Sequence, residues 1–143
     1  MSSTTTTTTT SAKKHPFTIE FRHGRDILRA EVSGPVRSLG VVAAYWNRIA
    51  AELARTGRKK LLVVETMWAN LDIFKAIESV RLQDPADFAG VKIAFVDTVP
   101  RHNAINVYSA AAAARMGYEV EVFRDVRDAE LWLGSERGAP LSI

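Results

Sequence analysis

Residues 91–97 (VKIAFVD), an alanine-rich stretch, residues 119–123 (EVEVF) and residues 128–133 (DAELWL) follow one another at short spacing in the last third of the chain. An apolar run that can be covered on both faces, then a helix, a second strand and a short helix form a βαβα unit, and such a unit calls for a parallel sheet. The chain is therefore read as an α/β protein. No catalytic signature accompanies that fold class.

The 143 residues suit one domain, and with 47% hydrophobic and 24% charged residues the chain can bury a core without staples. No run approaches the roughly 18 apolar residues of a membrane helix, and residues 1–10 lack the basic start and apolar middle of a signal peptide. No membrane insertion and a cytoplasmic location are expected. The absence of cysteine removes disulfides, thiolate nucleophiles and cysteine metal sites together. The net charge of +3 is mild, with basic groups at Lys13, Lys14, Arg22, Arg25 and Arg29 and again at Arg58, Lys59 and Lys60. Nucleic-acid binding would require such charges interleaved with aromatic platforms, and no interleaving is present, so no nucleic-acid partner is expected.

Residues 4–10 are seven consecutive threonines, and nothing apolar follows the initiator before Ala12. Residues 1–14 read as a disordered Thr/Ser-rich tail, 15–134 as the folded domain and 135–143 as a loose C-terminal tail. Phe17, Ile19 and Phe21 alternate with Thr18, Glu20 and Arg22, the period of a strand with one buried face. After a turn at 23–26, Leu28, Ala30 and Val32 resume the alternation, so the two strands form an antiparallel hairpin. Ser33, Gly34 and Pro35 are expected to end the regular pairing. Ser38 caps a helix whose apolar positions Val42, Tyr45, Trp46, Ile49, Ala50 and Leu53 recur at three and four residues, with Gly57 as its stop. Leu61 to Val64 form a central strand, residues 66–70 an irregular connection, and Ile73, Phe74, Ile77 and Val80 the next helix. Phe88 is the buried plug of a polar connection. A further helix runs from about 104 to 116, and a short amphipathic one carries Leu131, Trp132 and Leu133. The whole predicts a mixed five-stranded sheet, an antiparallel hairpin followed by parallel βαβ units, with about four helices.

This order of elements resembles the SpoIIAA-like family of small bacterial proteins, which share the fold of STAS and CRAL-TRIO domains. The likeness is carried by LLVVE at 61–65, by Phe88 leading into VKIAFVD, by the helix ending at Met116 and Gly117, and by YEVEVF at 118–123 leading into AELWL at 129–133. It spans about 17–134. The resemblance implies a noncatalytic protein-interaction or regulatory module, or, through the CRAL-TRIO likeness, a carrier or sensor of a small apolar or amphipathic ligand. Anti-anti-sigma STAS proteins carry a phosphorylatable serine where the third strand turns into the second helix. The matching residues here are Glu65, Thr66, Met67, Trp68, Ala69 and Asn70, with no serine and no glycine.

The sequence offers little other chemistry. No two of the eight glycines stand two residues apart, so Gly-rich phosphate loops are absent. Ser33, Ser38, Ser79, Ser109 and Ser135 lie in no nucleophile-elbow pattern. His15, His23 and His102 form no pair at helical spacing and have no carboxylate in helical register, so no metal and no cofactor are expected. Asp97 lacks the acidic pair and following lysine of a receiver domain, Asp125 standing where the lysine would be. Glu65 and Asp97 both end parallel strands and can face one another beside the crevice where α/β sheets bind ligands, or else serve as caps for the loops that follow. Trp68 either lines a cleft or covers the second helix. Arg101, His102 and Asn103 precede a helix whose free amides attract anions, or form a solvated loop. Thr66, Met67, Trp68, Asp97 and Arg101 are the expected ligand or partner edge, and no residue is expected to be catalytic. The partner is an unknown protein or a small ligand, and the hairpin edge together with Tyr45 and Trp46 suggests a homodimer.

Overall fold

The computed structural model describes residues 4–10, 17–69 and 72–134. The expected hairpin is β2 (Phe17–His23) against β3 (Ile27–Val36), antiparallel, and β4 (Lys60–Ala69), β5 (Lys92–Asp97) and β6 (Glu119–Phe123) extend it in parallel. Among the described residues four helices accompany them: α1 (Leu39–Thr56), α2 (Ile73–Arg81), α3 (Asn103–Arg115) and α4 (Val126–Gly134). This is the mixed α/β architecture read from the sequence. The strands lie side by side in chain order.

One strand was not anticipated. Thr4–Thr10 forms β1, antiparallel to β2 with Thr4 opposite His23 and Thr10 opposite Phe17, so the sheet has six strands. The reading of 1–14 as a disordered tail is corrected for these residues; 1–3, 11–16 and the expected loose tail at 135–143 lie outside the described residues. An edge strand needs only a backbone ladder on one side, and the β-branched threonine favours the extended chain, so the lack of apolar side chains does not forbid pairing. The free edge of β2 is thereby occupied within the chain.

The two faces of the sheet have different covers. Phe17, Ile19, Phe21, Leu28, Ala30, Val32, Leu61, Val63, Ile93 and Phe95 form a single core with Val41, Val42, Tyr45, Ile49 and Leu53 of α1 and with residues of α2 and α3. On the other face Leu62, Ala94 and Val96 pack against Ala129 and Leu133 of α4. The rest of that face, on β2 and β3, is polar and ion-paired, with Arg29 Nε 2.7 Å and Arg22 Nε 3.7 Å from Glu31 Oε2. Lys60 Nζ meets Asp26 Oδ2 at 3.2 Å. Several of the basic residues that cluster in the sequence are thus dispersed into local pairs.

Local signals act as the sequence suggests in α1. The Ser38 hydroxyl accepts from the Val41 amide at 3.2 Å, and Gly57 closes the helix at φ 71°, its amide donating to the Leu53 carbonyl at 2.8 Å. A methyl group at Gly57 would meet nothing within 4 Å, so the cost of Gly57→Ala is backbone conformation alone. It is expected to be about 1 kcal/mol, read as a shift in the urea midpoint at unchanged slope. Tyr45 is buried and Trp46 packs against the core, so neither offers the surface that suggested a dimer.

The strand β4 outruns its expected end. Residues 66–69 continue the ladder with β3 (Ser33 with Thr66, Gly34 with Met67, Val36 with Ala69), where an irregular connection was expected. Gly34 and Pro35 do end the pairing of β3 with β2, but on the β4 side the ladder passes through them. That extension carries Met67 and Trp68 past Glu65 to the end of the sheet where the loops before α1, α2 and α3 begin.

Candidate functional site

Side chains alternate along β4, so Leu61, Val63 and Met67 lie under the helices with Glu65 between them in the same register, while Leu62 and Val64 face α4. On β5 the residue opposite Glu65 is Asp97. Two carboxylates thus meet at the buried ends of adjacent parallel strands. Arg37, in the short connection between β3 and α1, places its Nε 3.3 Å from Glu65 Oε1 and its Nη1 3.5 Å from Asp97 Oδ2. Its Nη2 donates to Asn106 Oδ1 of α3 at 2.7 Å, and Asn106 Nδ2 donates to Asp97 Oδ2 at 2.9 Å. The Tyr45 hydroxyl of α1 donates to Glu65 Oε2. Asp97 Oδ1 accepts from the Val99 amide at 2.9 Å, which is the loop-capping role open to it from sequence.

A 3₁₀ turn at Pro100–His102 folds His102 back so that Nδ1 lies 2.9 Å from Asp97 Oδ2. With a carboxylate opposite, Nδ1 is the protonated ring nitrogen, and Nε2 is buried without a hydrogen-bond partner among the described residues. Glu65, Asp97, His102, Arg37, Tyr45 and Asn106 are all buried.

Burial pushes the Glu65 carboxyl up to about 7, with the Asp97 charge adding to the rise and the Arg37 guanidinium and Tyr45 hydroxyl opposing it. Burial and then the Glu65 charge raise the Tyr45 hydroxyl well above its ordinary range, so it remains a donor. Glu65, Asp97 and His102 each offer a ligand atom, all within 4.8 Å of one another. The guanidinium of Arg37 already supplies the cation these carboxylates require. A divalent ion added beside it would leave positive charge in excess in a buried site.

Against this network, and under α2 and α3, lies a partly open cavity of about 100 Å³. Its aromatic wall is Trp46, Phe88 and Phe95: Trp46 stacks on Phe95 with ring centres 6.4 Å apart and meets Phe88 edge-on at 5.8 Å. Parallel strands give the cavity a direction. Arg37 and Asn106 stand at the end where β4 and β5 finish; Gln83, Phe88 and Tyr118 stand toward the end where β5 and β6 begin. Gln83 Nε2, Ser109 Oγ and Tyr118 Oη are buried without hydrogen-bond partners among the described residues, and all three residues line the cavity.

The expected edge of Thr66, Met67, Trp68, Asp97 and Arg101 divides between the two faces. Met67, 0% exposed, belongs to the core under the helices, and Asp97 belongs to the buried network. Trp68, on the strand rather than in a loop, is 61% exposed. Arg101 donates to the Trp68 carbonyl, and the Thr98 hydroxyl donates to Thr66 Oγ1 at 2.8 Å, so these four form a rim outside the network. Arg37, Tyr45 and Asn106 carried no such expectation, and His102, read beside Arg101 and Asn103 as a helix entry for anions or a solvated loop, is instead buried against Asp97. Arg37 had one detectable signal, a basic residue placed between a strand and a helix cap in a chain with two acids at strand ends. The sequence of this chain matches no known family model, no curated protein and no solved structure. No helix among the described residues is long and apolar enough to cross a membrane.

Proposed function

We propose that the protein is a noncatalytic SpoIIAA-like binding module that takes a small amphipathic ligand in the aromatic cavity between the sheet and α1, α2 and α3. The observation that carries this reading is the cavity itself, with Trp46, Phe88 and Phe95 along one wall and unpartnered polar atoms on Gln83, Ser109 and Tyr118. Apolar walls with a few placed polar groups are the composition of small-molecule sites. The adjacent ion network is buried and its carboxylates face Arg37, which suits a lock that holds β4, β5, α1 and α3 in place better than a reacting centre.

The test is native mass spectrometry of protein purified from its source, compared with an Ala110→Leu variant. Ala110 lines the cavity from α3, and leucine there fills space without adding charge. A small-molecule adduct on the natural chain that is lost in the variant, with folding retained, is the expected result. A natural chain free of any adduct, whose melting temperature also ignores small aromatic probes, would remove the reading.

A second reading rests on a separate observation. Phe74 on α2 is 82% exposed and Tyr108 on α3 is 63% exposed, and these two helices pack together. With Trp68 and Val107 they offer apolar surface to a protein partner, a second copy of the chain included. Phe74, expected on the buried face of its helix, stands outside because Ala76, Ser79 and Val80 take the inner positions.

A further inference from the structure

We infer that the cavity selects a neutral compound about the size of a single ring that carries one hydroxyl or carbonyl oxygen, an inference that rests on the binding function proposed above. Size comes first. The cavity measures about 100 Å³, and an apolar cavity of about 150 Å³ accommodates benzene. With its open side, the space suits one ring and a short substituent, and no long acyl chain.

Charge decides the next step. Arg37 is the one formally charged residue in the lining, and its guanidinium already faces Glu65 and Asp97 and donates to Asn106. An anionic ligand would have to take Arg37 from two buried carboxylates. A cationic ligand would meet Arg37 as a like charge, and the acids that act on the Tyr118 hydroxyl, Asp84 and Asp87, are exposed to solvent and stand outside the lining among the described residues. Either ion would also lose its hydration, which is costly where the described lining residues offer no free counter-charge.

Polar satisfaction supplies the oxygen. Gln83 Nε2 is a donor, and the hydroxyls of Ser109 and Tyr118 donate or accept; burial raises the Tyr118 hydroxyl further above its ordinary value, so it keeps its proton. A buried polar atom without a partner is costly, and a ligand oxygen would satisfy these groups while the ring lies toward Trp46 and Phe95.

The experiment is a titration of the full chain, followed by amide chemical shifts, with phenol, toluene, benzoate and benzylammonium. Phenol is expected to bind about tenfold more tightly than toluene, the worth of a hydrogen bond to an otherwise unpaired group, with both ions weaker still. Tyr118→Phe and Gln83→Leu, tested separately so that one misfolded variant does not end the test, should bring phenol down toward toluene and leave toluene unchanged. Toluene equal to phenol, or either ion ahead of it, would overturn the ligand class while leaving a binding cavity in place. Failure of all four to shift cavity residues would overturn the cavity reading as well.

Discussion

Replacing Arg37 by leucine is expected to lower the unfolding free energy by about 3 to 5 kcal/mol, the range for removing one partner from a buried ion pair. The guanidinium faces Glu65 at 3.3 Å and Asp97 at 3.5 Å and donates to Asn106 at 2.7 Å, and Arg37 is itself only 6% exposed. Its loss leaves Glu65 and Asp97 together in a buried site with no cation, so that one must stay charged without a partner or take up a proton. Since a domain of ordinary stability has about 5 to 15 kcal/mol in total, the variant should sit close to unfolding. Urea denaturation gives the value directly. The control is the triple variant Arg37→Leu, Glu65→Gln, Asp97→Asn, which keeps the shapes and removes the charges. It should recover a substantial part of the loss, and a triple variant no more stable than Arg37→Leu would show that packing rather than charge is responsible.

The second large effect is a pH dependence with an uncommon sign for a carboxylate. Burial raises Glu65 from 4.5 to about 7, against the opposing pull of Arg37 and the Tyr45 hydroxyl. Its proton is therefore held more tightly in the folded chain than in the unfolded one. Between those two values the folded state binds more protons, so stability is highest below about 4.5 and declines as pH rises toward 7. Above 7 the group is ionised in both states and the loss is constant. A shift of this size corresponds to about 3 kcal/mol over the window, as an order of magnitude. Glu52 works oppositely, its hydrogen bond with Arg55 lowering it, so its contribution is lost on acidification. The measurement is therefore a difference: stability of the natural chain minus that of Glu65→Gln at intervals from pH 4 to 8. The difference should fall across the window, and a flat difference would place the proton elsewhere in the network.

The cap and stop of α1, Ser38 and Gly57, were legible because capping is decided by the few residues around a helix end. The hairpin and the parallel strands were legible from alternation and from unbroken apolar runs, which report how many faces of a strand are covered. That Glu65 and Asp97 stand where apolar strands end was legible; whether they faced one another or capped the following loops was left open by the sequence. The extent of β4 was not legible. Nothing in residues 66–69 marks them as strand until β3 is seen to continue beside them, and that is a property of the pair. The same holds for β1, where a uniform threonine tract acquires a position only from the ladder of β2.

The candidate site divides in the same way. Sequence by itself determined five of the strands and the four helices, their order, the buried face of most of them and the two acids at the strand ends. Tertiary structure decided which groups those acids meet. Arg37 before α1 and Tyr45 on α1 stand far along the chain from His102 and Asn106 around the start of α3, and no motif links the two pairs. They converge because neighbouring parallel strands deliver their connections to one end of the sheet, and because a buried carboxylate is tolerated only where donors surround it. The cavity is likewise a property of packing. It is the space left where Trp46, Phe88 and Phe95 meet the small residues Ala110 and Ala113, and spacing along one helix carries no information about what faces it across a core.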